Sequence, residues 1–107
     1  MANRKNKMTE KELEKKIILN LKLHGCEVAK SGESSWYNSH YLMAGMSDLI
    51  VFIPGGGIIF MEVKAPRGKQ RDSQKMFGAL CVKCKLKYVI VRSVKESMDA
   101  VRTVIPG

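Results

Sequence analysis

The first part of the chain has apolar residues at helical spacing, with polar and charged residues between them. Thr9, followed three positions later by Glu12, forms the capping-box pattern that marks the start of a helix. The pattern continues to about residue 24, where a glycine follows, and this predicts a helix over residues 9–24. Its apolar face consists of Leu13, Ile17, Ile18 and Leu21.

Further along the chain the apolar residues form short continuous runs, which are typical of buried strands. Residues 49–53 read Leu-Ile-Val-Phe-Ile, and we expect both faces of this strand to be buried. Residues 54–57 read Pro-Gly-Gly-Gly and interrupt the run, and residues 58–64 begin a second strand. The two strands therefore predict a hairpin. A short strand is also expected over residues 27–30.

The last third of the chain alternates helix, strand and helix. Asp72 or Ser73 caps a predicted helix that runs to about Lys87, and residues 88–91 form another apolar strand. Ser93 caps the last predicted helix. The resulting order, α-β-β-β-α-β-α, predicts an α/β fold in which helices flank a mixed β-sheet.

Length and composition indicate one soluble domain. The chain has 107 residues, of which 45% are hydrophobic, so we expect a single domain over 1–107 with a flexible basic arm at 1–8. No apolar run reaches the ~20 residues of a membrane span, and the N-terminus lacks the apolar core of a signal peptide. Three cysteines, an odd number, fit a reduced protein of the cytoplasm better than a disulfide framework.

The net charge of +9 is distributed unevenly. Residues 1–30 carry +4 and residues 64–87 carry +7, whereas residues 31–63 contain no Lys or Arg and carry −3. A surplus of this size favours a polyanionic partner, and nucleic acid is the common one for a small basic protein. The alternative is a solvated surface that only confers solubility. The acidic segment between two basic ones requires its own explanation.

Three charged residues interrupt the apolar strands of the predicted hairpin. A five-residue loop places Asp48 opposite Glu62, and a three-residue loop places it opposite Lys64. Either loop gathers the three side chains on one face, whereas an even loop would place Asp48 opposite Val63. The structural alternative is an ion pair between the lysine and one of the two acids, with the other acid left without a role. Two carboxylates with an open side are also how proteins hold Mg²⁺, and a metal there activates water and stabilises charge on a phosphodiester.

These residues stand in an order that resembles a known nuclease family. The segment 45–48, Gly-Met-Ser-Asp, precedes an apolar strand, a glycine turn and the segment 61–64, Met-Glu-Val-Lys. Gln74 follows on the next helix, and Glu10 precedes Leu13 and Ile17 with the spacing E-x-x-L-x-x-x-I. This set is similar to the PD-(D/E)XK superfamily, and within it to the stand-alone VRR-NUC form of phages and bacteria. Ser47 stands where that family usually has Pro.

The resemblance implies a restriction-endonuclease-like core and an Mg²⁺- or Mn²⁺-dependent DNA endonuclease. In that family Asp48, Glu62 and the carbonyl of Val63 would hold the metal, and Lys64 would position the attacking water. Glu10 and Gln74 would contact a second metal, its waters or the scissile phosphate; Glu14 is the alternative acid of the first helix. The resemblance further implies Holliday-junction-resolvase-like activity on branched DNA by a homodimer.

Other signals bear on binding rather than on catalysis. Four basic residues after the proposed site form a stretch suited to phosphate contacts: Arg67, Lys69, Arg71 and Lys75. The glycine turn lacks the lysine of a phosphate-binding loop, so nucleotide hydrolysis is disfavoured. Cys81 and Cys84 have the spacing of half a zinc site but more often pack as small apolar residues. Trp36, Tyr37 and His40 have no assigned role. A non-catalytic DNA- or RNA-binding module remains the alternative function.

Overall fold

The computed structural model describes residues 8–31 and 47–104. Trp36, Tyr37 and His40, and most of the predicted basic arm, lie outside these ranges. The elements follow the predicted order, and the α/β fold with a mixed sheet is confirmed. They are α1 (Glu10–Leu23), β1 (Glu27–Lys30), β2 (Leu49–Ile53), β3 (Gly57–Val63), α2 (Asp72–Lys83), β4 (Lys87–Val91) and α3 (Val94–Arg102). No helix within the two ranges is long and apolar enough to cross a membrane.

The four strands form one sheet in the order β1-β2-β3-β4. The first three strands pair antiparallel, and β4 pairs with β3 in parallel after the crossover through α2. This crossover brings the chain after β4 next to the chain after β3. Residues near 64 and near 92 therefore lie at the same end of the sheet.

The turn of the β2–β3 hairpin determines the register of the two strands. Phe52 pairs with Ile58 and Ile53 with Gly57, so the connection has three residues, Pro54–Gly56. The register is nevertheless the one that sequence reasoning attaches to a five-residue loop. Gly57 adopts a φ of 90°, a conformation that glycine reaches without steric cost, and this permits the short turn.

One face of the sheet packs against α1 and α3 and forms the hydrophobic core. The core includes the apolar face of α1 and alternate residues of β2 and β3: Leu13, Ile17, Leu21, Leu49, Val51, Ile53, Ile59, Met61 and Val63. The opposite face is covered in part by α2, whose Phe77 makes edge contacts with Phe60 and Tyr88. Phe52 on this face is 42% exposed, so the expectation that both faces of β2 are buried is wrong.

The helix ends differ from the sequence expectations in two places. The capping box of Thr9 and Glu12 is present, and Ser93 caps α3 as predicted. The N-cap of α2 is Arg71, whose backbone N–H donates to Gln74, instead of Asp72 or Ser73. This helix ends at residue 83 instead of about 87, and Lys85 takes a φ of 60° as the chain turns into β4.

Candidate metal-dependent active site

The adjoining ends of β2 and β3 bring two carboxylates together. Asp48 directly precedes β2, and one step beyond the pair of Leu49 and Met61 places it opposite Glu62. Oδ2 of Asp48 accepts a hydrogen bond of 2.9 Å from the backbone N–H of Val63, which fixes the orientation of the carboxylate. This is the juxtaposition that an odd hairpin loop predicts.

The backbone of Val63 faces Asp48 and not β4. The hydrogen bond to β4 at this point comes from Lys64, whose backbone N–H donates to the carbonyl of Val91 at 3.0 Å. The N–H and C=O of one residue in a strand point to the same side, so the Val63 carbonyl faces the Asp48 side of the strand. A carbonyl oxygen therefore lies on the same side as the two carboxylates.

Glu62 is fully buried and only partly satisfied. Its Oε2 accepts a hydrogen bond of 2.6 Å from Nε2 of Gln74, and Nζ of Lys64 lies 3.8 Å from the same oxygen. Its Oε1 is buried and has no hydrogen-bond partner within the described part of the chain. A buried, ionised carboxylate oxygen without a partner is costly. A proton shared with Asp48 would satisfy it in the absence of metal, and a cation between the two acids would satisfy it in the ionised state.

The electrostatics of the pair also favour a cation. Burial raises the pKa of Glu62 to about 8, and the neighbouring Asp48 carboxylate acts in the same direction, while Lys64 acts in the opposite direction. Glu10 adds a smaller effect in the same direction as Asp48. Ionisation of Glu62 near neutral pH is therefore opposed by burial and by the negative charge of Asp48. A divalent ion between the two side chains would offset that charge.

The two acids of α1 occupy different environments. Glu10 is the first residue of the helix, and its charge acts on Glu62. Glu14 is one turn further along, is 8% exposed, and pairs with Lys30 at 2.9 Å. Of the two candidates, Glu10 is the one whose charge acts on Glu62, but among the described residues it does not join Asp48 and Glu62 in a group of three that could hold a metal ion.

Gln74 connects the start of α2 to the carboxylates. Its Oε1 accepts a hydrogen bond from the backbone N–H of Arg71 at 2.8 Å, which leaves its amide NH₂ group to donate to Glu62. The side chain is 3% exposed. The basic residues around this helix start have exposed side chains: Arg67, Lys69, Arg71 and Lys75. The sequence-predicted site residues on β3 and α2 thus lie together, beside an accessible basic segment.

The donor set fits a hard cation better than zinc. No group of three or more His, Cys, Asp or Glu side chains within residues 8–31 and 47–104 has the arrangement of a metal site. Cys81 is buried, whereas Cys84 is exposed. Two carboxylates and a backbone carbonyl are oxygen donors, the kind of ligand that Mg²⁺ takes in proteins together with water and phosphate oxygens.

Comparisons with known proteins identify the family of this chain. The family model described as the VRR-NUC domain matches residues 6–95. The chain belongs to the VRR-NUC family. A solved structure of a VRR_NUC domain matches with a TM-score of 0.67 and 24% identity, covering 89% of this chain and 97% of that one. No curated protein matches the chain.

Membership of VRR-NUC identifies the protein as a member of a nuclease family, for which DNA is the expected substrate. Domains of this family generally depend on a divalent metal, and the residues present fit such an ion. The fit rests on the unpartnered Oε1 of Glu62 and on its position beside Asp48.

The structure also shows contacts around the VRR-NUC site that sequence reasoning missed. Ser47, where the family usually has Pro, is fully buried, and its hydroxyl donates to the carbonyl of Leu49 at 3.0 Å. The hydroxyl of Ser31 donates to the carbonyl of Ser47 at 2.8 Å and ties the end of β1 to this segment. Arg92 contacts the turn after Lys64. No local pattern indicates these bonds, because their partners are backbone carbonyls.

Proposed function

We propose that this VRR-NUC protein is an Mg²⁺- or Mn²⁺-dependent DNA endonuclease that acts on branched DNA. The observation that carries the proposal is the fully buried Glu62 carboxylate, with one unpartnered oxygen, beside Asp48 and bonded to Gln74. A structural ion pair would leave no oxygen open and would not need the second acid. The arrangement is explained by a cation between the carboxylates.

The proposed metal ligands are Asp48, Glu62 and the carbonyl of Val63, with Glu10 at a second metal or acting through water. When bound, the metal would lower the pKa of a coordinated water and offset negative charge on the scissile phosphate. The hydrogen bond from the N–H of Val63 orients the Asp48 carboxylate, and Gln74 orients that of Glu62. Both acids are thereby held in place before a ligand arrives.

Lys64 is the proposed group that orients the attacking water. Its side chain is 7% exposed, and its ammonium lies 3.8 Å from Glu62, so it carries a positive charge at the edge of the carboxylate pair. A buried ammonium next to a phosphate also offsets the negative charge that develops during hydrolysis.

The exposed basic residues of the 67–75 segment are the proposed phosphate contacts. They lie between Lys64 and the body of α2, so a bound backbone would run past the carboxylates. The overall charge of +9 supports nucleic acid as the partner. Activity on junctions is proposed from the resemblance to stand-alone, resolvase-like members of the family. A homodimer is proposed because a domain of this size has little area to clamp a junction alone, and two symmetric sites would allow paired nicks.

A cleavage assay with labelled duplex and four-way-junction DNA tests this function. Each substrate is incubated with Mg²⁺, Mn²⁺ or EDTA, and nicked products are resolved on a denaturing gel. Metal-dependent nicking, with the junction cut faster than the duplex, is the expected result. Salt-sensitive binding without nicking under any metal would instead identify a non-catalytic binding module. A monomer in gel filtration under cleavage conditions would exclude the paired-nick version.

A further inference from the structure

One arginine from a distant part of the chain holds the turn that follows Lys64. Nη1 of Arg92, directly after β4, donates to the carbonyls of Ala65 and Gly68, both at 2.8 Å. A longer bond of 3.4 Å reaches the carbonyl of Pro66. The N–H of Gly68 closes the turn by donating to the carbonyl of Ala65 at 2.9 Å. The guanidinium therefore binds the backbone on both sides of the turn.

The same turn lies against the side chain of Lys64. A Cβ atom added to Gly68 would lie 3.5 Å from Cδ of Lys64 and 3.3 Å from the carbonyl oxygen of Ala65. The backbone of Gly68 is thus close to the lysine stem, with little room for a larger residue. The turn helps to confine Lys64, which is 7% exposed.

The turn and Arg92 both line a cleft of about 520 Å³. The beginnings of α1 and α3, at Leu13 and Val94, line the same cleft, as does Arg67. Hydrogen bonds from a guanidinium to carbonyl oxygens are charge-assisted and stronger than neutral ones. Within the described residues, the hydrogen bonds of Arg92 therefore restrain the turn where it borders the cleft.

We propose that Arg92 is a positioning residue for Lys64. The guanidinium fixes the turn, the turn confines the lysine stem, and the stem holds the ammonium 3.8 Å from Glu62. The inference rests on the proposed function, in which Lys64 orients the attacking water. A misplacement of about 1 Å in such a group costs roughly 100-fold in rate.

Cleavage kinetics of Arg92→Gln and Arg92→Lys test the kinetic consequence. For Arg92→Gln we expect kcat to fall roughly 10- to 100-fold. KM, and DNA affinity measured in EDTA, should stay within about twofold, because Arg92 acts through Lys64 and not on the phosphate backbone. Arg92→Lys, which keeps one donor group, should lie between Arg92→Gln and the wild type. Arg102→Gln removes the same charge from an exposed position on α3 and should leave all three quantities unchanged.

The reactivity of the Lys64 amine gives a readout that does not depend on cleavage. The folded protein is treated with an amine-acylating reagent, and modification of each lysine is followed by peptide mass spectrometry. Lys64 should react several-fold faster in Arg92→Gln than in the wild type or in Arg102→Gln, while exposed lysines such as Lys87 react equally in all three. If Arg92→Gln does not fold, the same two measurements on Arg92→Lys decide.

The outcomes separate this proposal from the proposed function. Unchanged kcat and unchanged Lys64 reactivity would overturn the positioning role. An equal loss of DNA affinity and kcat with unchanged Lys64 reactivity would assign Arg92 to DNA binding and also overturn it. A wild-type protein that cleaves no DNA would refute the nuclease function alone, because faster acylation of Lys64 in Arg92→Gln would still show that Arg92 positions the lysine.

Discussion

Nε2 of Gln74 lies 2.6 Å from Oε2 of Glu62 and donates a hydrogen bond to a carboxylate that is fully buried. The orientation of the amide is fixed from its other side, because Oε1 of Gln74 accepts from the N–H of Arg71. One oxygen of Glu62 is therefore satisfied within the described part of the protein, and the other is open. The start of α2 thus determines which oxygen of Glu62 is satisfied and which has no partner among the described residues.

Replacement of Gln74 by Ala should weaken metal binding. Glu62 would lose its amide partner and its fixed orientation, and loss of a group that orients a metal ligand typically costs about 10- to 100-fold in affinity. The Mg²⁺ concentration at half-maximal cleavage rate measures this effect. Gln70→Ala is the matched control, because Gln70 donates to the hydroxyl of Tyr88 and not to an acid. An unchanged Mg²⁺ dependence in Gln74→Ala would contradict the role of Gln74 in orienting the Glu62 carboxylate for metal binding.

Replacement of Lys64 by Ala should abolish cleavage and leave DNA binding largely intact. The side chain is buried next to Glu62, so it contributes little to the surface that meets DNA. We expect a decrease of at least about 100-fold in cleavage rate, the size typical of a group that stabilises a transition state. Lys87→Ala removes an exposed lysine from β4 and serves as the control for charge. Cleavage retained by Lys64→Ala would refute the assignment.

Local sequence signals predict most of the fold because each element carries its own markers. The capping box at Thr9, the apolar run of β2 and the Ser93 cap depend on neighbouring residues only, and all three are present. The sequence leaves the hairpin register open between two odd loops and an even one, since glycines allow several turns. The observed pairing of Phe52 with Ile58 is the register expected of a five-residue loop, reached with a three-residue turn.

The features that escape sequence reasoning depend on residues far apart in the chain. The bond of Arg92 to the carbonyl of Ala65 joins positions 27 residues apart and involves a backbone acceptor, which no side-chain pattern marks. The N-cap of α2 is missed for a local reason: Gln74, three positions further on, satisfies the N–H of Arg71, so the N-cap lies before the expected Asp or Ser.

At the candidate site the sequence predicts which residues take part, and only the fold shows which of their oxygens lack a hydrogen-bond partner in the part of the chain that the structure describes.

Salt dependence of binding should identify the phosphate contacts. Arg67 and Lys69 are basic residues of the turn after Lys64 and its continuation toward α2. Removal of a side chain that binds one phosphate should reduce the slope of log K against log salt by about 0.9 for duplex DNA. Titrations of Arg67→Ala and Lys69→Ala over a range of NaCl concentrations measure the slope, with Arg102→Ala on α3 as the control. Slopes equal to the wild type in both variants would place the DNA elsewhere.

The raised pKa of Glu62 predicts how stability depends on pH in the absence of metal. The folded state holds the proton up to about pH 8, whereas an unfolded glutamate releases it near its ordinary pKa of 4.5. Between these values the folded state binds more protons, so the free energy of unfolding should fall as the pH rises from about 5 to 8. Urea denaturation in EDTA at several pH values measures this slope.

Glu62→Gln supplies the control for that slope, because glutamine keeps the shape of the side chain and does not titrate. The variant should lose the part of the decrease between pH 5 and 8 that is due to Glu62, and it should be more stable than the wild type at pH 8. We expect a difference of more than about 1.4 kcal/mol at pH 8, the free energy equivalent to one pH unit. Added Mg²⁺ should stabilise the wild type at this pH, because an ion between Asp48 and Glu62 favours the ionised pair, and it should stabilise Glu62→Gln much less. Parallel pH profiles for the two proteins in EDTA would show that Glu62 is ionised in the folded state without metal, and would contradict the electrostatic argument for the cation site.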